Sequence, residues 1–116
     1  MRPLVVVVCG SRTWTDADRI RAKLRELPRG STVVHGGSRG ADRIAGELAH
    51  ALGLQERVFW ADWKIEPRRA GIIRNRAMLD LHPDIVFAFW DGASTGTGHT
   101  IGEARRRGIP VDVTLV

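Results

Sequence analysis

The run Leu4-Val5-Val6-Val7-Val8 constrains this chain more than any other feature. A strand with one wet face alternates polar and apolar residues, so an unbroken β-branched run has to be covered on both faces. Parallel sheets clothed by helices meet that demand, and helical patterns are what the sequence supplies next. Thr15 to Leu27 carries Ile20, Leu24 and Leu27 at helical spacing, with Thr15 and Asp18 as a capping-box-like start and Pro28 and Gly30 as the stop. The alternation then repeats. Thr32–His35 reads as a strand, Ala41–Leu52 as a helix with Ile44, Leu48 and Leu52 on one face, and Arg57–Trp60 as a third strand. Arg68–Leu81 follows as a helix around Ile73, Ala77 and Leu81, then a strand at Asp84–Phe89, a helix from Thr97 to Arg107, and a last strand at Val111–Leu115.

Strands separated singly by helices call for right-handed crossovers and a parallel sheet. The expected architecture is α/β: a Rossmann-like doubly wound five-stranded parallel sheet, order 3-2-1-4-5, with helices on both faces, in one domain over residues 1–116. In such sheets ligands sit beyond the carboxyl ends of the strands, where strand order reverses. Here the first and fourth strands flank that crevice, so their loops are expected to hold the chemistry.

Composition narrows the class of ligand. A chain with 43% hydrophobic residues folds around a core, and its longest apolar run, ending at Cys9, is too short to span a membrane. Met1-Arg2-Pro3 before that run makes a poor signal peptide, and a lone Cys9 forms no internal disulfide, so a reducing cytoplasm is the expected setting. The net charge is +5 and almost all cations are arginine, Lys23 and Lys64 being the only lysines. Arginine suits bidentate phosphate recognition, but the charge is spread rather than blocked, which favours a small anion over nucleic acid.

Three loops at the expected edge are unusual. They are Cys9-Gly10-Ser11-Arg12-Thr13-Trp14, His35-Gly36-Gly37-Ser38-Arg39-Gly40-Ala41-Asp42, and Asp91-Gly92-Ala93-Ser94-Thr95-Gly96-Thr97-Gly98-His99-Thr100. Glycine lets backbone amides approach an anion, a helix start adds free N–H groups, and hydroxyls add uncharged donors. Arg12 or Arg39 could close the clamp. Neither a Walker motif nor G-x-G-x-x-G after the first strand is present. A fourth segment adds Asp62 and Trp63, suited to ribose hydroxyls and to base stacking, and Arg74 and Asn75 early in the third helix, pointing to the crevice if Ile73 and Ala77 face the sheet.

The segments GSRTWTD, VVHGGSRGAD, ADW, AGIIRNRAML, FWDGASTGTGHTI and GIPVDV stand in the order and spacing of a known family. The chain resembles the small Rossmann-like proteins related to YspA, within the SLOG superfamily, whose small members are common in actinobacteria and their phages. The resemblance implies a nucleotide or nucleotide-derived ligand. The superfamily also holds the LOG phosphoribohydrolases and the DNA-processing protein A of transformation. The LOG pattern places an arginine at Arg74, a lysine at Asn75, G-T at Gly96-Thr97 and the catalytic glutamate at Thr100, with Glu103 about one helical turn further on. Threonine cannot stabilise an oxocarbenium ion, so binding without cleavage is the first expectation.

The residues expected to bind are Gly10, Ser11, Arg12, Gly36, Gly37, Arg39, Gly40, Asp42, Asp62, Trp63, Arg74, Asn75, Asp91, Ser94, Thr95, Gly96, Thr97 and Thr100. If the protein cuts an N-glycosidic or phosphate bond instead, the candidates are Arg74, Asp91 and Glu103, with Asp42 and Asp62 as further carboxylates and His35 or His99 as proton carriers. Single-stranded nucleic acid ranks third. No cofactor is expected and, because the histidines are not spaced as ligands, no metal. A homodimer is expected, as in many superfamily members.

Overall fold

A computed structural model describes residues 1–116. The elements run β1 (Val5–Gly10), α1 (Ala17–Leu24), β2 (Thr32–His35), α2 (Ala41–Ala51), β3 (Gln55–Val58), α3 (Ala70–Leu79), β4 (Ile85–Trp90), α4 (Thr95–Arg106) and β5 (Val111–Leu115). The five strands form one sheet in the order β3-β2-β1-β4-β5, and every neighbouring pair is parallel. The doubly wound Rossmann-like architecture read from the alternation is the one observed.

The valine run shows why. Val6 and Val8 point into one core with Ile20 and Leu24 of α1, Ala45 and Leu48 of α2, and Phe87 and Phe89 of β4. Val7 and Cys9 point into the other, against Met78 and Leu79 of α3 and Ile101 and Ala104 of α4. Successive side chains of a strand face opposite ways, so a strand with two buried faces has no position for a polar residue. The sheet thus carries α1 and α2 on one side and α3 and α4 on the other. No helix is long and apolar enough to cross a membrane.

Several boundaries differ from the sequence expectation, each for a local reason. The helix cap of α1 is Asp16, whose Oδ1 accepts from the Arg19 amide (3.2 Å), not Thr15, and the helix ends at Leu24 rather than Leu27. Strand β3 lies two residues earlier than Arg57–Trp60, because it pairs with the short β2 in the register Thr32↔Gln55 to His35↔Val58. Phe59 and Trp60 therefore fall beyond the sheet, in the loop. Helix α4 begins at Thr95 rather than Thr97, and Leu52 caps α2 as a part-exposed residue instead of joining its buried face. The largest departure is α3. It buries Ala70, Asn75, Met78 and Leu79, while Ile73, expected against the sheet, lies exposed beside Ile72.

Candidate ligand-binding cleft

Above the carboxyl ends of β1, β2 and β3 lies a cleft of about 490 Å³, within the roughly 300–1,000 Å³ usual for small-molecule sites. Its lining includes Arg12 from the β1–α1 loop, Gly36, Gly37, Ser38 and Arg39 from the β2–α2 loop, Arg43 from the first turn of α2, Trp60 and Trp63 from the β3–α3 loop, and Arg74 from α3. No carboxylate lines it.

The β2–α2 loop is the floor, and it is held from below. Asp42 is buried, and its Oδ2 accepts from the amides of Gly36 (3.0 Å) and Ser38 (3.3 Å). Burial pushes its carboxyl pKa up, while His35, Arg74 and these two amides pull the other way. Its carboxylate therefore shapes the loop from inside rather than facing the cleft. His35, also buried, accepts the Gly37 N–H at Nδ1 (2.9 Å). That bond leaves the ring proton on Nε2, which points at Glu56 Oε2 (2.6 Å), and the other Glu56 oxygen meets His50 Nε2 (2.7 Å). The His35 contact, then burial in the opposite sense, then the His50 contact act on Glu56, and the balance holds its carboxyl below the usual range.

The loop glycines admit close neighbours. A Cβ on Gly36 would run into the Arg74 guanidinium, and one on Gly37 would run into the Trp60 indole. Gly40 has φ +77° and lies against the backbone of Ser11 and Arg12, so no other residue fits there. Arg74 thus lies flat on the loop, donating from Nη1 to the Gly36 carbonyl (2.6 Å) and from Nε to Asn75 Oδ1 (2.9 Å).

The β4–α4 turn stands beside the cleft and does not line it. The crevice expected between the first and fourth strands is crossed at this point by side-chain hydrogen bonds. Asn75 makes a long contact to the Gly96 carbonyl (3.5 Å), and Ser11 Oγ accepts from the Asp91 amide (2.9 Å) and meets Ser94 Oγ (3.1 Å). Asp91 is exposed and folds its carboxylate back on its own turn, taking the amides of Ala93 (2.9 Å) and Ser94 (2.8 Å) and the Ser94 hydroxyl (3.0 Å). The Ser94 and Ala93 amides lower its pKa to about 2. Neither Ser94 nor Gly40 caps its helix with a side chain, so the first turns of α4 and α2 keep free N–H groups, whereas Asp16 closes α1.

The remaining expected residues scatter. Thr95 and Gly96 are exposed on the first turn of α4, and Thr97 is buried there. Thr100 is buried and its hydroxyl returns to the Gly96 carbonyl (3.2 Å). Glu103 lies in the last turns of α4, pairing with Arg106 and with Arg107 (3.3 Å), which in turn reaches Asp80 at the end of α3 (2.7 Å). That places it towards the opposite edge of the sheet from the loops. Asp62 accepts the Ile65 amide (3.3 Å) and lines a neighbouring apolar depression. His99 keeps a buried Nδ1 with no partner. Gly10 is wedged between the Phe89 carbonyl and Ala41. Trp60 and Arg43 were missing from the expected set. Trp60 was hidden by the misplaced β3, whereas Arg43 directly follows Asp42 in the first turn of α2.

Fold and cleft together define a Rossmann-like α/β domain with a cationic cleft at the carboxyl edge of its sheet. Residues 4–65 match the model of the YAcAr family, the YspA, cpYpsA-related SLOG family. The chain is also 38% identical over 115 residues to the Gene 61 protein of Mycobacterium phage D29, covering 91% of this chain and 92% of that protein. The chain belongs to this SLOG family.

Proposed function

We propose that the protein binds a phosphorylated nucleoside, or a ligand derived from one, in the arginine-lined cleft, as a sensor or sequestering domain. The observation that carries this reading is the lining itself: four arginines and two tryptophans around one opening, with no carboxylate among them. Guanidinium groups present paired N–H donors that match phosphate oxygens, and an indole face stacks on a base. Family membership supports a nucleotide-related ligand of this class.

Binding rather than cleavage is the reading the side chains favour. Glycosidic hydrolysis needs an uncommitted carboxylate at the reacting carbon. Asp42 and Asp91 are spent on backbone amides and Glu103 on arginines, and Thr100 stands where the LOG pattern has its glutamate. Calorimetric titration against a panel of nucleoside mono-, di- and triphosphates tests the proposal. Micromolar binding to at least one is the expected result, and no heat at millimolar concentration with any of them would overturn it.

A further inference from the structure

The four arginines of the cleft are not equivalent, and their differences bear on what they hold. Two are fixed by the protein. Arg74 spends Nη1 on the Gly36 carbonyl and Nε on Asn75, which orients its remaining N–H groups. Arg43 spends Nε on the Gly37 carbonyl (3.3 Å), leaving both terminal nitrogens of its fork. Arg12 and Arg39 are different: neither is tied to a protein acceptor or a carboxylate, although Arg43 shares their exposure. The cleft therefore has two guanidinium groups anchored on backbone carbonyls and two unanchored ones, the latter supplied by separate loops.

Charge points the same way. A phosphate monoester carries about −1.5 to −2 at neutral pH, so one phosphoryl group offsets about two of the four guanidinium charges and leaves two uncompensated. The nearest buried counter-charge, Asp42, lies beneath the loop with its oxygen on the Gly36 and Ser38 amides. Asp91, at the neighbouring helix start, keeps its own negative charge and disfavours a second phosphoryl group on that side. A second anionic group is best placed next to the first, under Arg12 and Arg39. Trp60, lying on Gly37, and Trp63 close the same opening with flat apolar surface.

We propose that the ligand carries two adjacent phosphoryl groups, so that the cleft selects a nucleoside diphosphate, free or as part of a larger pyrophosphate-linked ligand, over the monophosphate. This rests on the nucleotide-site reading above and adds the phosphate count to it. The four guanidinium groups share the two phosphoryl groups, Arg12 and Arg39 being the ones that no protein acceptor holds.

Titration of the whole protein with AMP, ADP, inorganic phosphate and pyrophosphate tests this, at fixed ionic strength without divalent cations and followed by tryptophan fluorescence. ADP is expected to bind at least about tenfold tighter than AMP, and pyrophosphate tighter than phosphate. The combined variant Arg12→Ala/Arg39→Ala is expected to bring the ADP-to-AMP ratio close to one, with an unchanged circular dichroism spectrum. Equal affinity for AMP and ADP in the unmodified protein would overturn the two-phosphoryl proposal and leave the nucleotide site standing. An unchanged ratio in the double variant would overturn the role given to Arg12 and Arg39. No binding to any of the four would overturn the two-phosphoryl proposal, while the wider nucleotide panel decides the reading it rests on.

Discussion

Removing the Asp42 carboxylate would strip the Gly36 and Ser38 amides of their acceptor beneath the cleft floor. An unsatisfied buried donor costs about 1–3 kcal/mol, so Asp42→Ala is expected to lose roughly 2–3 kcal/mol in urea unfolding and to weaken nucleotide binding with it. Asp42→Asn keeps an acceptor oxygen and sheds a charge that burial penalises, so it should lose less than Asp42→Ala. Asp84 is the opposite case. Its Oδ2 accepts the Val5 amide (2.8 Å) and its Oδ1 the Arg2 guanidinium (2.7 Å), and the amide first, then the guanidinium, hold its pKa below the ordinary 3.8. A carboxyl whose folded pKa is depressed contributes stability that is present above its unfolded pKa and lost as pH falls through the folded value. Asp84→Ala should therefore cost about 1 kcal/mol at pH 7 and flatten the acid limb of the stability curve below pH 3.8. The Arg2 contact adds little, because that side chain is largely exposed. An equal loss at pH 7 and at pH 2 would contradict this account.

At the element scale, the loop glycines do two different jobs. In the β2–α2 loop, Gly36 makes room for Arg74, so Gly36→Ala is expected to push the guanidinium off the loop and cost at least tenfold in ligand affinity, read by the same titrations. Gly96 in α4 has open space where a Cβ would stand and no positive φ, so Gly96→Ala should stabilise the helix by about 0.5–1 kcal/mol, measured as a raised Tm. From the sequence both glycines read alike, as phosphate-loop residues. Only the packing of α3 separates them, because it lays the Arg74 guanidinium where a Gly36 Cβ would stand and leaves that place at Gly96 open. The same crossing explains why Ile73 was misassigned: α3 has hydrophobic residues on several sides, so spacing alone could not select its buried face.

At the scale of the whole molecule, the expected homodimer has a candidate surface on that unselected face. Trp60 (71% exposed), Ile65 (76%), Ile72 and Ile73 (45%) lie on α3 and the loop before it, around a depression that also holds Asp62, Glu66 and Arg74. Apolar residues rimmed by both signs of charge suit a self-complementary contact. Sedimentation equilibrium is expected to show a dimer that Ile65→Glu/Ile73→Glu converts to monomer with the Tm nearly unchanged. A monomer in the unmodified protein at 100 µM, about the concentration a weak interface needs, would rule this surface out as a self-contact.

The sequence by itself determined the sheet. A β-branched run without polar members has to be buried on both faces, and strands alternating with helices leave one handedness and a few common strand orders, among them the observed 3-2-1-4-5. It also marked the loops at the carboxyl edge, since Gly, Ser and Arg together at strand ends have few other uses. Which loops make the cleft was decided only in three dimensions. Arg74 and Asn75, from a helix more than thirty residues beyond Gly36, reach the Gly36 and Gly96 carbonyls, and the opening lies on the β2 side beside Arg12, Arg39 and Arg43. A side chain reaching between distant elements leaves no periodic trace in the chain, which is why the sequence did not show that the Ser94–Thr97 stretch stands beside this cleft rather than in its lining.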